Sequence, residues 1–172
     1  MKLPGIKRQF CHKYGKSRFT QNVPASCRLS RLKNQNPTPY NMEEIARAEG
    51  IKTTRCDEIV LCDVADATGI YCIENKDGKN KEKKSKGDMP TKGGERMIKK
   101  VHEQLQGGAR FAQKCLAKNE EFLFLPVLVA EKKLSPRARG ALLDKKYSVA
   151  IKQTKKQILL LAAGKELPPL SP

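Results

Sequence analysis

Asp57 and the triplet Glu74-Asn75-Lys76, separated by sixteen residues, are the part of this sequence best suited to chemistry. Side chains alternate faces along a strand, so Glu74 and Lys76 project together while Asn75 projects away. Two carboxylates within reach of each other can share a hard divalent cation such as Mg²⁺, which prefers oxygen ligands and keeps several waters. Such a cation stabilises charge developing on a phosphoryl group and acidifies water. A lysine beside it can orient the attacking water or stabilise a pentacovalent phosphate. The plain alternative stays open: Asp57 as an ordinary strand-end residue, and Glu74 with Lys76 as a surface ion pair of little energetic weight.

Positioning these residues requires a hairpin. Asp57 to Asp63 (DEIVLCD) and Ile70 to Glu74 (IYCIE) read as strands, being rich in apolar and β-branched residues, with a turn at Ala65–Gly69. If Asp63 pairs with Ile70, Ile59 pairs with Glu74, and Asp57 lies diagonal to Glu74 on one face, roughly 7–8 Å away. A slip of one residue would send Asp57 to the other face. Before the hairpin, Asn41 to Gly50 predicts a short helix, with Asn41 as N-cap, Glu44 at the capping-box position and Gly50 as terminator. Ile51 to Arg55 suggests a short strand. After the hairpin come a Lys/Gly/Ser-rich loop over 78–94 and a helix over 95–118 weakened at Gly107-Gly108. A buried strand over 121–129, bordered or bent by Pro126, follows. A short helix over 136–143 and a final hairpin of 147–153 with 157–161 complete the chain before a Pro-rich tail.

Charge is unevenly placed. The 172 residues carry 35 Lys+Arg against 18 Asp+Glu, a net +17, which points to a polyanionic partner, with nucleic acid the default. Residues 57–75 nevertheless hold five acids and no base, whereas residues 76–100 hold ten bases. An acidic, apolar island inside a basic chain suits a cation held beside a polyanion. With 38% apolar residues the chain can bury one modest core. No apolar run reaches the roughly 18 residues of a membrane span. The start of the chain lacks a signal-peptide pattern, so the expected location is the cytoplasm, nucleoid or nucleus, not the secreted fraction. Of six cysteines, Cys62 and Cys72 lie in apolar runs and read as core residues. Cys11-His12 with Cys27 lacks the second ligand pair that structural zinc needs. With His12 and His102 the only histidines, His102 reads as a surface residue, and a Ser/His/Asp or Cys/His nucleophile has poor support.

Asp57…Glu74-x-Lys76 in a hairpin, followed by a basic loop and a glutamine-bearing helix, resembles the PD-(D/E)XK nuclease superfamily over about residues 43–130. No proline precedes Asp57; Cys56 stands there. The resemblance implies an α/β fold with a restriction endonuclease-like core, a central mixed sheet with an antiparallel hairpin flanked by helices. It implies Asp57 and Glu74 as metal ligands, with the Asn75 carbonyl as a third, Lys76 as the catalytic lysine, and Gln104 as the polar residue of the following helix. Glu43, Glu44 or Glu49 would supply the extra acid of some members. The implied cofactor is Mg²⁺ or Mn²⁺. The implied partner is nucleic acid, DNA before RNA, with a homodimer as the form in which many members cut two strands. Lys79, Lys81, Lys83, Lys84, Lys86 and Arg96 are the candidate phosphate contacts. The expected organisation is a basic arm or small subdomain over 1–40, a nuclease-like domain over 41–167 and a tail over 168–172. A basic DNA- or RNA-binding protein without catalysis is the competing expectation.

Overall fold

Two apolar runs flanking a short turn fold into the expected hairpin, but with a tighter turn. The computed structural model describes residues 5–20, 27–76, 90–130 and 132–172. In it, β2 (Glu58–Val64) pairs antiparallel with β3 (Ala67–Lys76), Val64 opposite Ala67 and Glu58 opposite Ile73. Ala65 adopts φ 50°, the left-handed backbone that a two-residue hairpin turn requires. Asp63 therefore lies opposite Thr68 instead of Ile70, a shift of two residues from the expected register. A shift of two preserves which face each side chain takes. Continuing the pairing by one step sets Asp57 across from Glu74 itself.

The hairpin sits inside a mixed α/β sheet of order β1-β2-β3-β4-β7. At one edge, β1 (Thr38–Asn41) pairs antiparallel with β2 and runs directly into α2 (Met42–Glu49). Asn41 Oδ1 accepts the Glu43 and Glu44 amides at 3.0 and 3.2 Å, and Gly50 closes the helix at φ 66°. Glu44 does not complete a capping box: its carboxylate takes Arg47 at 2.8 Å, while the Asn41 amide donates to the Phe19 carbonyl. Ile51–Arg55, expected as a strand, is unpaired chain. From β3, α3 (Pro90–Cys115) crosses over to β4 (Phe122–Ala130), which is parallel to β3. Pro126 lies inside β4 opposite Cys72, and the ladder to β7 (Leu159–Ala162) begins one residue later at Val127. Between them, α4 (Pro136–Leu142) starts at Ser135, whose Oγ accepts the Ala138 amide at 3.2 Å. The expected final hairpin is replaced by a smaller one, β5 (Val149–Ile151) with β6 (Thr154–Lys156). Residues 159–162 instead extend the main sheet.

Both faces of the sheet are covered, which explains the unbroken apolar runs of β2 and β3. Ile59, Leu61, Ile70, Cys72, Phe124 and Leu128 face one core with Ile98, Val101 and Leu105 of α3. Val60, Cys62, Tyr71, Ile73 and Val127 face the other, with Leu32 and Leu167. Within the span expected as a basic arm, α1 (Gly5–Tyr14) buries Ile6, Phe10 and Tyr14 in the first core. Each fully buried side chain of this size contributes about 1.5–3 kcal/mol. Glu120 ties the α1 start to the sheet, accepting the Ile6 and Ala117 amides and the Thr68 hydroxyl. The span expected as a tail is also anchored, since the Tyr71 hydroxyl donates to the Pro168 carbonyl at 2.7 Å. Among the described residues no helix is long and apolar enough to cross a membrane.

α3 runs through Gly107-Gly108 without a break. A Cβ at Gly107 would overlap the Thr54 carbonyl, and one at Gly108 would overlap the Cys56 thiol. The pair lets the helix lie against the chain that enters β2. Gly107→Ala is expected to cost about 3 kcal/mol through overpacking against backbone, lowering Tm by about 6–12 °C. Gly140 of α4 has open space at its Cβ, so Gly140→Ala should instead be neutral or stabilising by about 0.5–1 kcal/mol; thermal melts of the two variants check the contrast.

Asp63 binds α1 to β2. Burial alone would raise its carboxyl, but bonds from the Lys7 ammonium and the Asn36 amide outweigh burial and hold it below the usual range. A depressed carboxyl contributes stability above its unfolded value, and that stability is lost as pH falls through the folded value. Asp63→Asn should therefore cost about 1 kcal/mol near neutral pH, the modest figure befitting a partly exposed pair. Urea unfolding should show the gap from wild type closing below about pH 4.

Candidate active site

Even-numbered residues of β3 face α3, so the strand delivers Glu74 and Lys76 to the same side. Glu74 has a side chain only 1% exposed. Its Oε1 accepts the Lys76 ammonium at 2.7 Å, while Oε2 is buried without a hydrogen-bond partner. Lys76 Nζ donates a second bond, 3.1 Å long, to Gln104 Oε1 on α3. Asp57 stands just before β2 and is exposed; its Oδ2 accepts the Asn75 amide at 2.7 Å. Asp57, Glu74 and Lys76, singled out by type and spacing, and Gln104, implied by the resemblance, are thus brought together where the β2–β3 hairpin meets α3. The Asn75 side chain belongs to the opposite face, with Oδ1 buried and unpartnered, and the Asn75 backbone sits opposite Val129 in the β3–β4 ladder.

Burial pushes the Glu74 carboxyl up to about 7, the Asp57 charge adds to the rise, and the Lys76 bond and charge and the Asp57 backbone amide oppose it. One ammonium does not fully compensate a buried carboxylate with a second carboxylate beside it. Glu58, one step along β2 and on the other face, is 3% exposed, and its carboxyl is pushed up to about 8 by burial and then by Asp57. Its Oε1 is also without a partner. Its burial has no local signal, because Asp57 and Glu58 read alike in sequence and differ only in the face they take. Behind the site, the Cys56 thiol donates to the Glu58 carbonyl at 3.3 Å and is buried; the neighbouring Cys72 thiol and burial hold it well above the ordinary value. Cys56, Cys62 and Cys72 are core residues.

A cavity of about 250 Å³ opens beside these groups, lined by Glu43, Thr54, Arg55, Cys56, Asp57 and Gln104. Of the three α2 acids, Glu43 borders it. Glu44 pairs with Arg47, and Glu49 accepts the Tyr14 hydroxyl at 2.5 Å. Arg55 is a further member that the sequence does not announce; an isolated arginine in an unstructured stretch carries no signal. Arg96 is exposed on α3, eight residues and about 12 Å along the helix from Gln104. Lys79, Lys81, Lys83, Lys84 and Lys86, with most of the 78–94 loop, lie outside the described residues. His102, expected at the surface, is half-buried, with Nε2 3.1 Å from the Ser148 carbonyl.

The donor set suits a hard cation. Among the described residues no group of three or more His, Cys, Asp and Glu side chains converges. Asp57 and Glu74 alone remain, and Mg²⁺ is commonly held by one or two carboxylates with water completing its shell. The orphaned Glu74 Oε2 is the kind of atom such an ion satisfies. Comparison with known families, with curated proteins and with solved structures gives no match to this chain.

Proposed function

We propose that this chain is a metal-dependent nuclease of the PD-(D/E)XK type, hydrolysing phosphodiester bonds of DNA at Asp57, Glu74 and Lys76. The observation that carries the reading is the unpartnered, buried Oε2 of Glu74 beside Asp57, with Lys76 fixed between Glu74 and Gln104. The element order supports it: a helix, antiparallel strands ending in the hairpin, a crossover helix and a parallel strand, with α2 set between β1 and β2. The resemblance implies this order for a restriction endonuclease-like core, with α2 as an addition between β1 and β2.

Asp57 and Glu74 would hold Mg²⁺ or Mn²⁺. Bound there, the ion acts as a Lewis acid toward the phosphoryl group and acidifies water. Asp57 is held for this by the Asn75 amide, which donates to its Oδ2 at 2.7 Å. An ammonium has three donors; Lys76 spends one on Glu74 and one on Gln104, keeping the third for a phosphoryl oxygen or the attacking water. Gln104 thereby positions the lysine. The surrounding positive charge holds the phosphate backbone without reading sequence.

Plasmid incubated with the protein should be cut in Mg²⁺ or Mn²⁺ and left intact in EDTA. Asp57→Asn, Glu74→Gln and Lys76→Ala should each lower the rate by about 100-fold or more while melting cooperatively and still binding DNA. A second readout is stability: Mg²⁺ should raise the Tm of the wild type through preferential binding to the folded state, and the rise should vanish in Glu74→Gln. A wild type that cuts nothing in either metal and gains no stability from them would leave a binding protein without catalysis.

A further inference from the structure

A second cavity, about 550 Å³ in volume, adjoins the first and shares Thr54 and Arg55 with it as a common wall. Nothing in the proposed chemistry uses it. Its size falls within the range of about 300–1,000 Å³ typical of ligand sites. Four cationic side chains, Lys52, Arg55, Arg110 and Lys114, line it against one carboxylate, Glu103. Its walls also carry Ile51 and Phe111. The Phe111 ring is held from behind by an aromatic cluster, lying edge-on to Phe10 at 5.8 Å and tilted against Tyr14 at 6.5 Å. Elsewhere the wall is pinned by Gln106, whose amide exchanges two hydrogen bonds with the Ala150 backbone at 2.9 and 3.0 Å.

We infer that this groove seats a single-stranded stretch of nucleic acid leading into the site; the inference rests on the nuclease reading for what happens to that strand, though not for its binding. The occupant must carry phosphates, because the lining is cationic, and must show a flat apolar face, because Phe111 and Ile51 share the concave wall. Unpaired nucleotides present both, stacking bases on aromatic rings while a basic channel tracks the backbone. A duplex keeps its base faces stacked inside and offers only its outer backbone and groove edges. The path has a direction. Lys114, Arg110 and Glu103 follow one side of α3, and Gln104 stands at the neighbouring cavity. From Lys114 to Gln104 is ten residues, about 15 Å along the helix, and the common wall at Thr54 and Arg55 joins the two cavities.

Fluorescence anisotropy in EDTA, where no cleavage occurs, tests this with a labelled twelve-nucleotide single strand, as DNA and as RNA, and with the corresponding DNA duplex. At least one single strand should bind more tightly than the duplex, and the tighter of DNA and RNA identifies the natural strand. Arg110→Ala with Lys114→Ala, both exposed positions, should weaken single-strand binding about tenfold or more. It should also reduce the slope of log K against log salt by about 1.4, roughly 0.7 for each phosphate no longer neutralised. Phe111→Leu, which keeps the core filled, should weaken it by roughly tenfold through reduced stacking. A duplex that binds at least as tightly as both single strands, or a double variant that leaves single-strand affinity unchanged, overturns the inference. Because no metal or turnover enters the assay, its failure is separate from a failure of cleavage.

Discussion

The burial of the Glu74 carboxylate is the constraint around which one end of the sheet is arranged. A carboxylate removed from water costs several kcal/mol even after the protein relaxes around it, and Glu74 is almost wholly enclosed. Lys76 and Gln104 answer only part of that cost. One oxygen has its ammonium, the Asp57 backbone amide adds some relief, and the carboxyl still sits above its ordinary value. An apolar residue would fill the same volume at less expense to stability. Residues that break a local rule of good packing are those most often retained for what they do.

Meeting that constraint requires α3 to lie close. Gln104 reaches Lys76 only if the helix runs tight against the chain entering β2, and Gly107 and Gly108 make the approach possible by presenting no Cβ to Thr54 and Cys56. The same contact sets the segment 54–57, and with it Asp57. Ile98, Val101 and Leu105 then seat the helix on Ile59, Leu61, Ile70 and Cys72. One glycine pair thus adjusts both sides of the site, the acid from the strand and the amide from the helix.

What is legible in the sequence is what local signals specify. The β2 and β3 runs, the Asn41 and Gly50 caps and the Pro136 helix start each lie within a few residues of their cause. The expected register is displaced by two because Ala65-Asp66 lacks the Asn-Gly or Asp-Gly signature of a tight turn, yet an even displacement leaves Asp57 on the correct face. α1 is hidden because Ile6, Phe10 and Tyr14, spaced four apart, are interleaved with basic residues. β1 is hidden because Pro37 and Pro39 suggest a loop, although an edge strand tolerates proline. β7 resembles the second arm of a hairpin because its true partner, β4, is some thirty residues away, a pairing no local pattern announces. Gly107-Gly108 is legible as special but not as contact: a glycine signal alone does not separate a helix break from a close approach.

The distribution of charge gains a physical sense once the site is placed within it. A chain of net charge +17 draws a polyanion toward its surface, but that field is screened over about 8–10 Å. At contact range, Asp57 and Glu74 would repel the very phosphate the surface attracts. A divalent cation between them reverses the local sign, so on the proposed reading phosphate and cation favour each other's binding at this end of the sheet. Such coupling is reciprocal by thermodynamic necessity. On that reading, an acidic island in a basic chain admits a phosphodiester to the carboxylates only in company with the cation that neutralises them.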